Sequence, residues 1–170
     1  MTSADDRTET AQRRFLSLLE AHRGVVGKVA FTYCRNADDR RDLEQEIATH
    51  LWRAFPRYDP ARPFATWMYR IALNVAISFV RNTTRRPPAV PLDESAVGTN
   101  PPTEPDERLA VLQRFLDQLD HLNRALLMLH LDDRSYRDIA DVLGISETNV
   151  ATKLHRLKQR LREQATDTTR

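Results

Sequence analysis

Prolines divide this sequence into two parts that must fold separately. Six of the nine prolines fall between residues 83 and 106, at positions 87, 88, 91, 101, 102 and 105. Proline has no backbone N–H donor and clashes with the preceding helical turn, so this segment cannot form the interior of a helix or a sheet. We therefore predict a flexible Pro-rich linker over residues 87–106, joining a domain at 11–86 to a second domain at 107–163.

The composition favours helices in both domains. Hydrophobic residues make up 41% of the 170 residues, which is enough for folded cores, while the chain has only 4 glycines and 7% aromatic residues. We predict an all-α fold of two small helical domains. The polar start MTSADDRTET predicts a disordered lead over residues 1–10, and residues 164–170 are expected to form a frayed tail.

The remaining global features limit the classes of function. The formal net charge is only +2, so basic charge must be concentrated locally to attract a polyanion. The single cysteine, Cys34, excludes an intrachain disulfide and a multi-cysteine zinc site, and its apolar neighbours favour a buried structural thiol. The sequence has no long apolar run and no signal peptide, which predicts a cytoplasmic protein.

Residues 135–161 predict a helix-turn-helix. Ser135 and Ser146 stand where a side chain would cap each helix, and Gly144 stands where the first helix would end in a left-handed turn. Ile145 is expected to fill the space between the helices. Apolar residues recur at helical spacing in both segments: Tyr136, Ile139, Ala140 and Leu143, then Val150, Leu154, Leu157 and Leu161.

The outer face of the second helix carries side chains that suit DNA. An α-helix fits the major groove, arginine and lysine bond guanine edges or phosphates, and asparagine and threonine read base edges. The residues on this face are Asn149, Thr152, Lys153, His155, Arg156, Lys158, Arg160 and Arg162. The alternative is a surface helix with a solvated charged face. We favour DNA binding because the turn, the core spacing and the basic face coincide.

The first domain contains a helix with two contrasting faces. Leu43, Ile47, Leu51 and Phe55 recur every fourth residue and predict its buried stripe. The opposite face is polar and carries Asp42, Gln45, Glu46, Thr49, His50 and Arg53. This face permits a general acid–base pair, a metal site or a plain solvated surface. No nucleophile or phosphate loop accompanies the carboxylates, and Glu46 with His50 supplies too few ligands for a metal.

Aromatic and basic residues alternate after this helix. Tyr58, Phe64, Trp67 and Tyr69 lie close in sequence to Arg57, Arg62 and Arg70, the combination that single-stranded nucleic acid requires. The inner face of the helix that begins at Phe64 is predicted to contain Phe64, Trp67, Met68, Ile71, Val75 and Phe79. Phe64 and Trp67 are therefore expected in the core, and Tyr58, Tyr69 and the loop 58–63 are expected to contact DNA.

These segments together resemble a known family. LDHLNRALLMLHLDDRSYRDIADVLGISETNVATKLHRLKQRLRE resembles region 4 of bacterial sigma factors, which reads the −35 promoter element. DLEQEIATHLWRAF resembles the region 2 helix that grips the polymerase clamp, and FATWMYRIALNVA is similar to the segment that opens and reads the −10 element. Two such domains and a short linker resemble the extracytoplasmic-function group of sigma-70 factors.

The resemblance implies an alternative sigma factor without catalytic residues, metal or cofactor. Its partners would be the clamp and flap of core RNA polymerase, promoter DNA and an anti-sigma factor. The implied polymerase-binding residues are Asp42, Gln45, Glu46, Thr49 and Arg53; those at the −10 element are Tyr58, Arg62, Thr66, Tyr69, Arg70 and Asn74; those at the −35 element are Asn149, Ala151, Thr152, Lys153, His155, Arg156 and Lys158. The loop 58–63 would cradle a base flipped from the −10 strand.

Two positions depart from the family pattern. Ala151 stands where lysine or arginine is common, which removes a basic contact and leaves a methyl group able to touch thymine. Glu44 stands where an apolar residue is common, and we expect it to alter affinity for polymerase without changing the fold.

Two other functions remain open from the sequence. The first is a helix-turn-helix regulator that dimerises and binds palindromic DNA without polymerase; the segment at Trp67, Tyr69 and Arg70 argues against it. The second is a helical nuclease that uses Asp42, Glu46 and His50, for which the sequence offers little support.

Overall fold

The computed structural model describes residues 3–85 and 107–168. Within these ranges the elements are helical: α1 (Ser3–Ala21), α2 (Arg23–Tyr33), α3 (Ala37–Ala54), a 3-10 turn (Phe55–Arg57), α4 (Phe64–Arg85), α5 (Glu107–Asp117), α6 (His121–Leu131), α7 (Tyr136–Leu143) and α8 (Glu147–Thr168). The chain separates into two compact units, one formed mainly by residues up to Val80 and the other mainly by residues after it. The predicted all-α fold with two helical units is confirmed. The predicted linker, 87–106, lies outside the described residues.

Both ends are more helical than predicted. α1 begins at Ser3, so residues 3–10 are helical rather than a disordered lead, and α8 continues to Thr168 through most of the expected frayed tail. Neither end contains glycine or proline, and a side-chain bond supports the helix at each end. Arg13 forms an ion pair with Glu9 one turn away, and the Gln164 side chain donates to the Gln118 side chain at 2.7 Å.

The core of the first unit follows the predicted stripes. Leu43, Ile47 and Leu51 are completely buried, and α3 packs mainly against α2. On α4, Phe64, Met68 and Val75 are buried as predicted, whereas Trp67, Ile71 and Phe79 are only half-buried. Burying one aliphatic stripe contributes about 1.5–3 kcal/mol for each large side chain and leaves the opposite face of α3 in water.

In the second unit, α6 is the central helix. Its residues Ala125, Leu126, Leu127, Met128 and Leu129 are all buried. Arg124, just before this run, closes the preceding turn: its Nε donates to the Leu116 carbonyl at 3.0 Å, and its Nη2 to the Leu119 carbonyl at 3.3 Å. These bonds reinforce the turn after α5, where the Leu119 N–H also donates to the Leu116 carbonyl at 3.1 Å.

The helix-turn-helix has the predicted caps and turn. The Ser135 and Ser146 hydroxyls each accept a backbone N–H at 3.1 Å, from Asp138 and Asn149 respectively. Gly144 adopts φ +68, and the next N–H, that of Ile145, donates to the Ala140 carbonyl at 3.2 Å. This left-handed residue reverses the chain between α7 and α8, and so sets the direction in which α8 leaves the turn.

Replacement of Gly144 tests this turn. Alanine is strained at φ +68 by its own local backbone, although an added Cβ would meet no other described atom within 4 Å, so Gly144→Ala is expected to lower the free energy of unfolding of the helix-turn-helix by about 1–2 kcal/mol. Gly144→Asn is the matched control, because asparagine tolerates the left-handed region, and its loss should be smaller. Urea denaturation followed by circular dichroism measures both; equal losses would contradict a conformational cause.

Cys34 is the buried structural thiol that its neighbours predict. Only 7% of its surface is exposed. Burial, reinforced by the charge of Asp39 and opposed by Arg40, raises the pKa of the thiol from 9.0 to about 11. At pH 8 the folded protein therefore holds about 100-fold less thiolate than an unconstrained cysteine, and the thiol is poorly reactive.

Alkylation and pH titration test this environment. Iodoacetamide at pH 8 should modify native Cys34 at least about 100-fold more slowly than the urea-unfolded chain. Because the folded pKa lies above the unfolded one, the thiol's contribution to stability is complete below pH 9 and falls as pH rises toward about 11. Cys34→Ala should remove the part of the decline in unfolding free energy that the thiol causes. If the unfolding free energies of the wild type and the variant fell with the same slope against pH, the raised pKa would be refuted.

Candidate nucleic-acid and partner interfaces

The polar face of α3 is continuous and open to solvent. Asp42, Gln45, Glu46, Thr49 and Arg53 are all exposed, on the side opposite the buried stripe of Leu43, Ile47 and Leu51. The Asn36 side chain fixes the start of this helix by accepting the Asp38 N–H at 2.7 Å. The structure thus brings all five predicted polymerase-binding residues onto one helical surface.

The same face does not assemble a metal site. His50 is exposed beside the acidic residues, but among the described residues there is no group of three histidine, cysteine, aspartate or glutamate side chains placed to hold an ion. The arrangement instead suits contacts with basic and polar groups of a second macromolecule.

A cluster of aromatic rings supports the loop that follows α3. The Tyr58 ring lies 6.0 Å from Phe55 in a stacked arrangement, 5.3 Å from Phe64 at 85° and 5.0 Å from Trp67. The Tyr58 hydroxyl donates to the Arg62 carbonyl at 2.7 Å, which holds the loop 58–63 closed on itself. Aromatic pairs of this kind each contribute about 0.5–1.5 kcal/mol to stability beyond the burial of their surface area. The packed rings therefore form a rigid support under the loop.

Most predicted −10 residues are accessible around this loop. Arg62, Arg70 and Asn74 are exposed, and Tyr58 and Thr66 are half-buried. Two guanidinium groups and an amide are therefore available to a strand that crosses the start of α4. The half-buried Trp67 ring, expected in the core, packs directly against Tyr58.

The structure removes Tyr69 from the set of predicted −10 residues. This residue was predicted to contact the −10 strand, but its exposed fraction is 0% and it is one of the largest side chains in the core. α4 buries a broad face, because Leu73 and Ala76 continue the helical spacing from Tyr69 and are buried with it. Its ring therefore stabilises the unit and is closed to DNA.

Trp52 was not identified from the sequence as a surface residue. It lies off the stripe of Leu43, Ile47 and Leu51, and 39% of its surface is exposed. Its ring packs at 5.2 Å against Phe15, which also contacts Phe55 at 5.1 Å. The spacing contained this information, since a tryptophan between buried positions 51 and 55 of a helix must point away from the stripe.

The outer face of α8 carries the predicted base-reading residues. Asn149, Thr152, His155 and Arg156 are exposed, while Ala151, Lys153 and Lys158 are half-buried at the margins. The opposite side is anchored, with Val150 at 0%, Leu154 at 1% and Leu157 at 3% exposure. A rigid helix thus presents a basic, hydrogen-bonding surface of the kind that enters the major groove.

His130 of α6 modifies the charge beside this surface. Burial, together with the positive charge of Lys158, lowers the pKa of His130 from 6.5, and Asp133 opposes the shift. His130 is therefore neutral at pH 7 and adds no positive charge to that of Lys158. The basic character of α8 comes from its own lysines and arginines.

Comparison with known families finds a match for each of the two units. Residues 18–86 match the family model for Sigma-70 region 2, and residues 109–161 match the model for Sigma-70, region 4. The first match covers the polar face of α3 and the aromatic loop. The second covers the helix-turn-helix.

Individual relatives extend these matches to most of the chain. The ECF RNA polymerase sigma factor SigE of Mycolicibacterium smegmatis is 33% identical over 86% of this chain, which spans 59% of that protein's length. The ECF sigma factor SigL of Mycobacterium tuberculosis is 31% identical, with 86% of this chain and 85% of the relative covered. The solved structure of the sigma factor RpoE from Bartonella quintana, in complex with the anti-sigma factor NepR, is similar with a TM-score of 0.66 at 19% identity over 91% of this chain and 96% of that one.

Proposed function

The chain belongs to the extracytoplasmic-function group of sigma-70 RNA polymerase sigma factors, and we propose how its surfaces divide the functions of that family. Such a factor binds core RNA polymerase and directs it to promoters, and it catalyses no reaction itself. In this chain α3 docks on polymerase, the loop 58–63 with the start of α4 holds the −10 strand, and α8 reads the −35 element.

The exposed face of α8 is the observation that carries the proposal. Val150, Leu154 and Leu157 of its inner stripe are buried, and a glycine turn and the Ser146 cap precede the helix. Only a helix held in this way can place Asn149, Thr152 and Arg156 against base edges with a fixed register. The half-buried Ala151 offers a methyl group rather than a charge at its margin, which suits contact with a thymine methyl.

The −10 surface combines charge with ring surfaces. Arg62 and Arg70 are exposed, and both follow the aromatic cluster in sequence. A single strand requires cations for its phosphates and flat apolar surfaces for its bases, and base stacking contributes about 1–3 kcal/mol per base. The closed loop 58–63 provides the preformed site into which a flipped base enters. Tyr69 is excluded from this proposal because it is buried.

The acidic part of the α3 face is proposed to dock on the polymerase clamp, and the second unit on the flap. Glu44 lies off that face and is half-buried beside Leu16, Leu19 and Val26, so its effect on polymerase binding would be indirect. An anti-sigma factor is proposed to hold the chain inactive, as its structural relative is bound by one. Among the described residues no helix is long and apolar enough to cross a membrane. We propose that the protein acts in the cytoplasm, where polymerase and promoter DNA are found.

Neutralising the α3 carboxylates tests the polymerase-binding surface. The double change Asp42→Asn and Glu46→Gln keeps side-chain size and removes two negative charges, and we expect about tenfold weaker binding to core RNA polymerase, near 1.4 kcal/mol. Glu20→Gln is the matched control, because Glu20 is an exposed carboxylate on α1. Titration of purified core polymerase without DNA measures all three proteins. Equal affinities, or absence of binding by the folded wild-type chain, would contradict the docking role.

Arg156 provides the corresponding test on α8. Arg156→Ala should cost about 1–3 kcal/mol in −35 recognition and relax base preference at one position. Arg162→Ala, on an exposed arginine farther along α8, should leave that preference unchanged. Holoenzyme binding to a library of −35 variants, with the −10 element constant, measures both. A uniform loss across all sequences would assign Arg156 to phosphate instead of a base.

A further inference from the structure

A groove of about 410 Å³ lies where α1, α2 and α3 meet in the first unit. It is lined mainly by apolar and small residues, and these include Leu16, Leu19, Gly24, Gly27 and Ala48. Leu16 is 52% exposed, more than any other large apolar side chain among the described residues of this unit. An added Cβ at Gly24 or Gly27 would meet no atom of the neighbouring helices within 4 Å, so the groove is open at both glycines.

Glu44 places a carboxylate in this apolar lining. The other charged side chains of the lining, Glu20 and Arg23, form an ion pair with each other at 3.3 Å. Glu44 is half-buried, and none of the described residues forms an ion pair with it. The groove therefore carries one uncompensated negative charge. Because a carboxylate is costly to cover unless it is paired, an apolar segment that covers the groove must bring a cation to Glu44.

The lining also selects the kind of segment that fits. Glycine has no side chain, so Gly24 and Gly27 let a second backbone approach α2 closely. Leu16 and Leu19 provide apolar contacts along the α1 wall. An amphipathic helix binds a groove of this kind through apolar residues at i, i+3, i+4 and i+7. The groove therefore fits a partner helix whose apolar face carries one lysine or arginine for Glu44.

A helix in this groove would overlap the proposed polymerase-binding surface. Ala48 follows Glu44 by four residues and Gln45 by three, so it lies beside both on the surface of α3. Gln45 belongs to the exposed polar face, and Ala48 belongs to the groove. A helix with its side chains is about 10–12 Å wide, so a helix over Ala48 also covers Gln45. Occupation of the groove and docking of α3 on polymerase therefore exclude each other.

We propose that this groove receives an amphipathic helix of the inhibitory anti-sigma factor, with a basic side chain of that helix paired to Glu44. The inference rests on the proposed function, in which α3 docks on polymerase. Glu44 then acts as a specificity residue, because an inhibitor with an apolar or acidic residue at this point would leave the carboxylate uncompensated or repelled. This gives a physical role to a glutamate that stands where an apolar residue is common.

Selection of helical peptides tests the groove without an identified inhibitor. The probe is a phage-displayed library of helices of about 18 residues, in which each position of an apolar stripe varies among leucine, alanine, arginine, glutamine and glutamate. The library is depleted on the variant Gly24→Leu, whose new side chain occupies the groove, and then selected on the full wild-type chain. We expect binders with one arginine in the stripe, and replacement of that arginine by neutral citrulline should lower their affinity at least about tenfold.

Variants of the chain locate the contact. Glu44→Gln should lower peptide affinity by the same factor as citrulline, and the two changes together should cost no more than either alone, because they remove the same ion pair. Glu20→Gln is the matched control, since Glu20 lines the same groove but is paired with Arg23, and its loss should be smaller. Gly24→Leu should abolish peptide binding and leave the affinity for core RNA polymerase unchanged. Circular dichroism checks that each variant is folded.

The outcomes separate this inference from the proposed function. With core-polymerase binding intact, the groove assignment would be overturned by a library that yields no binders, by binders without a basic residue, or by additive losses from Glu44→Gln and citrulline. A complex that contains the chain, the selected peptide and core polymerase together would also overturn it, because the inhibitory role requires exclusion. If the folded chain binds the peptide but no core polymerase, the proposed function is overturned and the inhibitory role with it.

Discussion

The packing of the Phe55 ring is the interaction on which the loop 58–63 and its neighbouring helices depend. The residue closes α3, packs against Phe15 of α1 at 5.1 Å and stacks on Tyr58 at the start of the loop 58–63. With pairs of this type contributing about 0.5–1.5 kcal/mol each, the loop, α1 and the end of α3 are held as one cooperative group. A change at Phe55 would therefore disturb the loop 58–63 and the packing of α1 together, whereas changes at the exposed arginines affect one surface at a time.

The same helices provide both stability and the proposed binding surfaces, and their periodicity keeps the two separate. On α3 a buried aliphatic stripe lies opposite the acidic face, and on α8 Val150, Leu154 and Leu157 lie opposite the basic one. Because the buried stripes fix each helix along its length, the exposed residues keep a constant register without bonds to one another. Exposed surfaces of this kind tolerate substitution with little loss of stability. A loss of binding by a charge-changing variant can therefore be attributed to the lost charge and not to unfolding.

Features set by local chemistry were predictable from the sequence, and features set by tertiary packing were not. Gly144, Ser135 and Ser146 act through their own backbone geometry, so their roles followed from residue type and position. Tyr69 was misassigned because an aromatic residue beside Arg70 was interpreted by its type, while its burial depends on how widely α4 is covered. The helical start at Ser3 was missed because residues 3–10 lack apolar periodicity, although they also lack any residue that breaks a helix.

The distribution of charge fits the proposal that one chain binds both an acidic and a basic partner. The formal net charge of +2 gives almost no long-range attraction to DNA, and at physiological salt fields from exposed groups are screened within about 8 Å. The acidic face of α3 and the basic face of α8 therefore act only on what is brought close to them. Weak attraction to DNA at a distance, combined with local complementarity, favours promoter binding after the chain is already held on polymerase. A uniformly basic chain would instead bind DNA without selection, since the phosphate contribution to affinity is independent of sequence.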